Sequence, residues 1–409
     1  NTVLPLVPQI GMMYLFLSFL EDSGYMARAA FVMDRLMQAL GLPGKSFVPL
    51  IVGFGCNVPS VMGARTLDAP RERLMTMMMA PFMSCGARLA IFAVFAAAFF
   101  GQNGALAVFS LYMLGIVMAV LTGLMLKYTI MRGEATPFVM ELPVYHVPHV
   151  KSLIIQTWQR LKGFVLRAGK VIVIVSIFLS ALNSFSLSGK VVDNINDSAL
   201  ASVSRVITPV FKPIGVHEDN WQATVGLFTG AMAKEVVVGT LNTLYTAEDI
   251  QNEEFNPQTF SLGEELLAAV DETWQGLKDT FSLSVLANPI EASKGDGEMA
   301  TGAMGVMGSK FGSAAAAYSY LIFVLLYIPC ISVMGAIARE SSRGWMTFSI
   351  LWGLNIAYSL ATLYYQTVSF SEHPQYSLVC ILAVILFNIV VIGLLRRARS
   401  RVDIELLAT

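Results

Sequence analysis

Of the 409 residues, 55% are hydrophobic and 13% charged, against about half and about a quarter in water-soluble domains, which excludes an ordinary soluble protein. The formal net charge of −1 hides a division, because residues 246–312 hold 12 acidic and 3 basic side chains. An acidic, water-facing insertion in a basic membrane protein is expected, the two kinds of segment facing different compartments.

Asn1 runs almost at once into an apolar segment, with no signal-peptide pattern, so the chain reads as part of something longer. Apolar stretches near the ~20 residues a membrane helix needs run over 3–20, 47–64, 74–100, 105–127, 164–182, 315–337, 344–366 and 377–395. Segments 25–40 and 220–245 are apolar but interrupted, the first by Arg28, Asp34 and Arg35 and the second by Lys234 and Glu235. A charge facing lipid there is costly.

The span 47–64 carries Pro49, Gly53, Gly55, Pro59 and Gly63. Proline removes a helical hydrogen bond and glycine weakens the helix, so unwinding is expected around 53–60. Cys56, Asn57 and Ser60 fall inside that break. Free carbonyls at membrane depth are tolerated where they line a cavity or are buried in protein, and broken helices build ion sites in transporters. The plain alternative is a helix kinked for packing.

Ser60-Val61-Met62-Gly63-Ala64 recurs as Ser332-Val333-Met334-Gly335-Ala336, after Pro59 in one copy and Pro329-Cys330 in the other. Upstream, Gly24-Tyr25-Met26-Ala27-Arg28 is echoed by Gly230-Ala231-Met232-Ala233-Lys234. Two matches in one order predict a duplication. The fold class expected is an all-α integral membrane protein with about eight transmembrane helices plus interrupted or re-entrant segments. These form two parallel pseudo-symmetric gate repeats whose motifs face each other across an axis along the membrane normal. The expected units are a first repeat over 1–128, a cytoplasmic loop over 129–163, and the start of the second repeat over 164–245. The extracytoplasmic insertion follows over 246–312, the rest of the second repeat over 313–396 and a basic tail over 397–409.

The basic clusters are Arg65, Arg71 and Arg73; the stretch from Lys127 to Lys170; Arg339 and Arg343; and Arg396, Arg397, Arg399 and Arg401. All can be cytoplasmic if segment 220–245 is re-entrant, with a break near Gly226, Gly230 or Lys234. That topology puts 183–314 outside, and with it the ends bearing Glu21, Asp22 and Glu235.

Cys56 and Cys330 are candidate metal ligands, since thiolates suit late first-row metals, with Asn57 and backbone carbonyls completing a weak site. A membrane cysteine is otherwise a small hydrophobe. Cys85 is a further thiol, and Cys380 reads as filler. All four cysteines lie in apolar stretches, which argues against a disulfide scaffold. Met62 and Met334 offer thioethers or simply fill the core. Glu21, Asp22 and Glu235 either concentrate cations at a pore mouth or neutralise Arg28 and Lys234. His217-Glu218-Asp219 reads as a solvated loop, and His146 and His149 as structural. Gly44-Lys45-Ser46 is not a phosphate loop, because Ala39 stands where a glycine is required. Ser261-Leu262-Gly263-Glu264 is a capping box that opens an amphipathic helix.

The run from Leu20-Glu21-Asp22-Ser23-Gly24 to Ala29, the run from Phe47 to Ala64 with Gly55-Cys56-Asn57-Val58-Pro59-Ser60, and Ala231-Met232-Ala233-Lys234-Glu235 resemble the paired gate segments of FeoB-type ferrous-iron transporters over nearly all of the chain. The resemblance implies Fe²⁺ uptake across the bacterial inner membrane by a multi-pass domain that is not itself an enzyme. It also implies an N-terminal cytoplasmic GTPase domain holding GTP and Mg²⁺, small partners of the FeoA and FeoC kind, and iron-handling cysteines at Cys56, Cys85 and Cys330. No permanently bound cofactor and no nucleic acid are expected; the lipid bilayer and a homo-oligomer are. On this reading Fe²⁺ collects near Glu21, Asp22 and Glu235 and passes a constriction at Cys56 and Cys330, which the GTPase opens through the 129–170 loop. The gate segments also resemble nucleoside-type permeases, which leaves an organic cargo open, and a scaffold or receptor without a pore is the third reading.

Overall fold

The computed structural model describes residues 6–131, 145, 148–163, 198–232, 234, 236–249, 301–371 and 373–407. The expected span 164–182, the capping-box helix, Glu235 and His146 lie outside them. The described residues are helical and carry no strand. The helices are α1 (Leu6–Asp22), α2 (Tyr25–Leu40), α3 (Phe47–Gly55), α4 (Asn57–Gly63), α5 (Pro70–Met79), α6 (Gly86–Phe99), α7 (Gly104–Thr129) and α8 (150–163). Then follow α9 (Ala199–Ile207), α10 (Trp221–Met232), α11 (Val236–Asp249), α12 (Thr301–Phe311), α13 (Ala314–Leu326), α14 (Ile331–Glu340), α15 (Arg343–Val368) and α16 (Pro374–Leu407). By length and composition Pro70–Phe99, Gly101–Thr129, Ala314–Glu340, Arg343–Val368 and Pro374–Arg397 can each cross a membrane.

Segment 47–64 does not cross. Cys56, extended at φ −154° and ψ 132°, separates α3 from α4, and the two helices fold back on each other. A Cβ built on Gly63 would lie 3.7 Å from Pro49, and one on Gly53 would lie 3.3 Å from Ser60 Oγ. Pairing of 49 with 63 and 53 with 60 is an antiparallel hairpin with its tip at Cys56. At ~1.5 Å per residue the nine-residue α3 spans about 14 Å, less than half of a ~30 Å hydrocarbon core. Pro49 and Pro59 sit in the first turns of the two arms, where an amide hydrogen is not needed.

A second hairpin is made by α10 and α11. A Cβ on Gly226 would lie 3.0 Å from Leu241, and one on Gly230 would lie 2.8 Å from Val237. The chain reverses around Lys234, so segment 220–245 is re-entrant, with its break at the last of the three expected positions.

Each hairpin is followed by a broken span. Between α5 and α6 the chain passes through a 3₁₀ turn, Ala80–Phe82, and then extended Met83 and Cys85. Between α13 and α14 it is irregular from Tyr327 to Cys330, around Pro329.

The contacts at the helix ends set the directions. At one end Arg65 pairs with Glu340, Arg71 Nε donates to Met131 O at 2.9 Å and Lys127 Nζ to Ala39 O at 2.9 Å. We call this the basic end. At the opposite end Gln366 Nε2 donates to Pro213 O at 2.8 Å, Tyr358 Oη donates to Val210 O at 3.0 Å, and Phe100 packs on Tyr318 with ring centres 6.0 Å apart. The first hairpin therefore enters from the basic end and the second from the opposite end. Likewise Pro70–Phe99 leaves the basic end, whereas Ala314–Glu340 arrives there.

The repeats are therefore inverted, related by an axis in the membrane plane, and not parallel as the duplicated pentapeptide suggests. Its two copies lie in α4, an arm of the first hairpin, and α14, the second half of a broken span. These are not equivalent elements. They do pack side by side, and both run toward the basic end, where Arg65 meets Glu340. Two short neighbouring half-helices need similar small residues to approach closely, which accounts for a parallel-looking match inside an inverted fold.

Helix α2 stands at 101° to the Gly44–Gly55 segment, so it lies across the basic end. This moves Glu21 and Asp22. Glu21 Oε2 accepts from Arg160 Nη2 at 2.9 Å, and Arg28 stacks on the Tyr145 ring at 3.3 Å. Arg160 and Tyr145 belong to the stretch expected on the cytoplasmic side, and α2 ends where Lys127 binds Ala39. Glu21 and Asp22 thus stand at the basic end, not at an outer mouth.

Candidate transport site

The hairpin tips and the two breaks converge on the middle of the molecule, and the packing is reciprocal. At Gly53 a Cβ would lie 3.0 Å from Met83 Cβ, in the first break; at Gly230 it would lie 2.4 Å from Tyr327 Oη, in the second. Each tip thus docks on the break of the span that follows it, and glycine allows that close approach without displacing Met83 or Tyr327.

Asn57, buried at the first tip, joins these parts. Its Nδ2 points to Met83 O at 3.3 Å. With the amide turned over it donates to Gly53 O at 2.8 Å and Ala80 O at 3.2 Å, the better arrangement because the longer bond is exchanged for two shorter ones. Ser60 and Ser84 are buried, and their hydroxyls have no hydrogen-bond partner among the described residues. At the second tip Lys234 is 3% exposed, its Nζ 5.1 Å over the Tyr327 ring.

The cysteines are distributed and not clustered. Cys56 is at the first tip and within electrostatic reach of Tyr14 on α1, Cys85 precedes α6, and Cys330 precedes α14. All are half-buried and in no disulfide among the described residues, as is Cys380 in α16. Among the described residues no group of three or more His, Cys, Asp or Glu could hold a metal ion. Met62 is half-buried against the core, and Met334 is half-buried on α14. Gly335 has nothing within 4 Å of an added Cβ, Gly63 only ordinary contacts, and a Cβ on Gly55 would lie 3.1 Å from Met13 Sδ. Pro59 and Pro329 are buried beside the breaks.

Sequence reasoning missed Arg88. It is fully buried in the first turn of α6, and its Nη1 donates to Pro81 O and Met83 O, each at 3.0 Å. Tyr112 beside Cys85, and Tyr327 beside Cys330, both lie within electrostatic reach of its charge. Arg88 therefore sits between the two breaks. A single arginine inside the apolar run 74–100 was the available signal.

Opposed re-entrant hairpins, two broken spans and buried cations at their meeting point define a polytopic α-helical membrane protein with a central site of the transporter kind. The chain matches the family described as Gate, nucleoside recognition, over residues 3–99 and 165–343, and the family described as Ferrous iron transport protein B C terminus over residues 108–160. It belongs to the Gate family. It is 94% identical over all 409 residues to the Fe(2+) transporter FeoB of Escherichia coli K12 and to that of Shigella flexneri. It is 92% identical to that of Salmonella typhimurium LT2. The chain spans about half the length of these relatives, 53% in each case. No solved structure gives a significant match.

Proposed function

We propose that this chain is the membrane-embedded pathway of an Fe²⁺ uptake system in the bacterial inner membrane. The observation that carries the reading is the pair of hairpins entering from opposite ends and meeting at two broken spans. The relatives named Fe(2+) transporter supply the cargo. By the positive-inside rule the basic end is cytoplasmic.

Each hairpin guards one side. Movement of the α10–α11 hairpin admits Fe²⁺ from outside, and movement of the α3–α4 hairpin releases it inward. Between the tips, Cys56 on one hairpin and Cys330 at the second break offer single thiols, and the Asn57 amide and freed carbonyls of the breaks offer oxygens, a weak and exchangeable set. A GTPase domain elsewhere in the full-length protein, with FeoA- and FeoC-like partners, acts at the basic end. There Arg160–Glu21 and Arg28–Tyr145 tie the 145–163 region to α1 and α2. GTP and Mg²⁺ belong to that domain, and Fe²⁺ is cargo here.

The test is anaerobic uptake of radioactive Fe²⁺ into proteoliposomes carrying the full-length protein, with nucleosides as competitors. Uptake that nucleosides leave untouched supports the proposal. Nucleoside flux without Fe²⁺ flux would replace it, and the absence of any flux would favour a scaffold.

A further inference from the structure

Arg88 uses only one side of its guanidinium. Nη1 is occupied by the Pro81 and Met83 carbonyls, while Nε and Nη2 are buried with no partner among the described residues, and no described carboxylate pairs with Arg88. Arginine does not give up its proton, so a full charge lies in the protein interior with a free edge of two parallel N–H donors. That edge matches the two oxygens of a carboxylate.

Two further features point the same way. The bonds to Pro81 and Met83 fold the guanidinium back over the start of α6, a 14-residue helix whose N-cap, Cys85, supplies no side-chain bond. Its first amides therefore bring the positive end of the helix to the same place. Ser84, two residues before Gly86, keeps a buried hydroxyl with no partner among the described residues. The guanidinium edge and the hydroxyl are donors unanswered among the described residues, and they stand at the positive end of the helix.

We infer that the break between α5 and α6 binds a small carboxylate-class anion, held two-pronged by Arg88 Nε and Nη2 and supported by Ser84 and the start of α6. The inference does not depend on the identity of the cargo. For a divalent cation, the bound anion neutralises the charge of Arg88 and so lessens repulsion at the meeting point of the breaks.

The test is thermal unfolding of the full-length protein in detergent, with sodium acetate titrated against sodium chloride at equal ionic strength. Acetate is expected to raise the Tm saturably and chloride not. Arg88→Lys keeps the charge but loses the fork, so half-saturation should move upward at least tenfold; Ser84→Ala should move it about threefold. Equal responses to the two salts in the unmodified protein, or an unchanged acetate response in either variant, would overturn the proposal. Should Arg88→Lys fail to fold, the acetate–chloride comparison and Ser84→Ala still decide it. Fe²⁺ uptake is measured separately, so loss of anion binding and loss of iron transport are distinguishable.

Discussion

Gly230 faces Tyr327 so closely that a Cβ added to the glycine would lie 2.4 Å from the tyrosine hydroxyl. Gly230→Ala is therefore expected to overpack the junction between the second hairpin and the second break, at a cost of about 1–3 kcal/mol. Adding Tyr327→Phe removes the clashing oxygen and should recover part of the loss, the 2.8 Å approach to Val237 remaining. Thermal unfolding in detergent checks both, and an unchanged Tm in the single variant would contradict the close approach.

The side of the membrane on which Glu21 lies can be read directly. In a cysteine-free background, Glu21→Cys and Asp68→Cys should react with an impermeant maleimide from the same face, and Glu218→Cys from the other. Asp68 pairs with Lys45 at 3.2 Å at the basic end, and Glu218 pairs with Lys212 at 3.0 Å beside Pro213. Labelling of Glu21→Cys together with Glu218→Cys would restore the outer mouth and undo the topology.

Helix α16 turns most of its apolar surface outward, with Leu382, Leu386, Phe387 and Val390 exposed. It is joined to α15 by Asn355 Nδ2 donating to Asn388 Oδ1 at 3.1 Å and Asn388 Nδ2 donating to Ser359 Oγ at 2.8 Å. Interhelical hydrogen bonds in a membrane contribute about 0.6 kcal/mol on average, so Asn388→Leu should lower stability by about 0.6–1.7 kcal/mol. Steric trapping in bicelles measures this, and a stabilised variant would show that lipid packing outweighs the polar bonds.

Arg65 and Glu340 join the first hairpin to α14. Because Arg65 is half exposed, the pair should contribute no more than about 1 kcal/mol to stability. Its consequence is expected in transport, where Glu340→Arg alone slows uptake and the swap with Arg65→Glu restores it. Equal uptake by all three proteins would show that the pair is incidental.

Replacing Cys56 and Cys330 together by serine should slow anaerobic Fe²⁺ uptake at least tenfold if the thiols handle the metal. The two need not act as one cluster, since no three-ligand group exists among the described residues. Uptake at the original rate would leave the carbonyls and Asn57 as the only ligands.

Composition alone placed this chain in a membrane, because lipid tolerates so few charges that 13% charged residues and repeated apolar runs admit little else. Proline and glycine near Cys56 announced a break, since both act locally on the helix, and Gly226, Gly230 and Lys234 together announced another without fixing its place. The family was legible for the same reason, in long motifs at those breaks. Whether 47–64 crosses or turns back was not legible, because a full span and two half-helices present the same apolar sequence. That depended on Gly53 finding Met83 and Pro49 finding Gly63. Nor could a repeated pentapeptide report the symmetry, since its copies match through packing against each other. Only the tertiary structure decided that the repeats are inverted, that Glu21 meets Arg160, and that Arg88 stands between the breaks with Nε and Nη2 unpaired among the described residues. Each of these joins residues far apart in the chain, and no local preference encodes such a pairing.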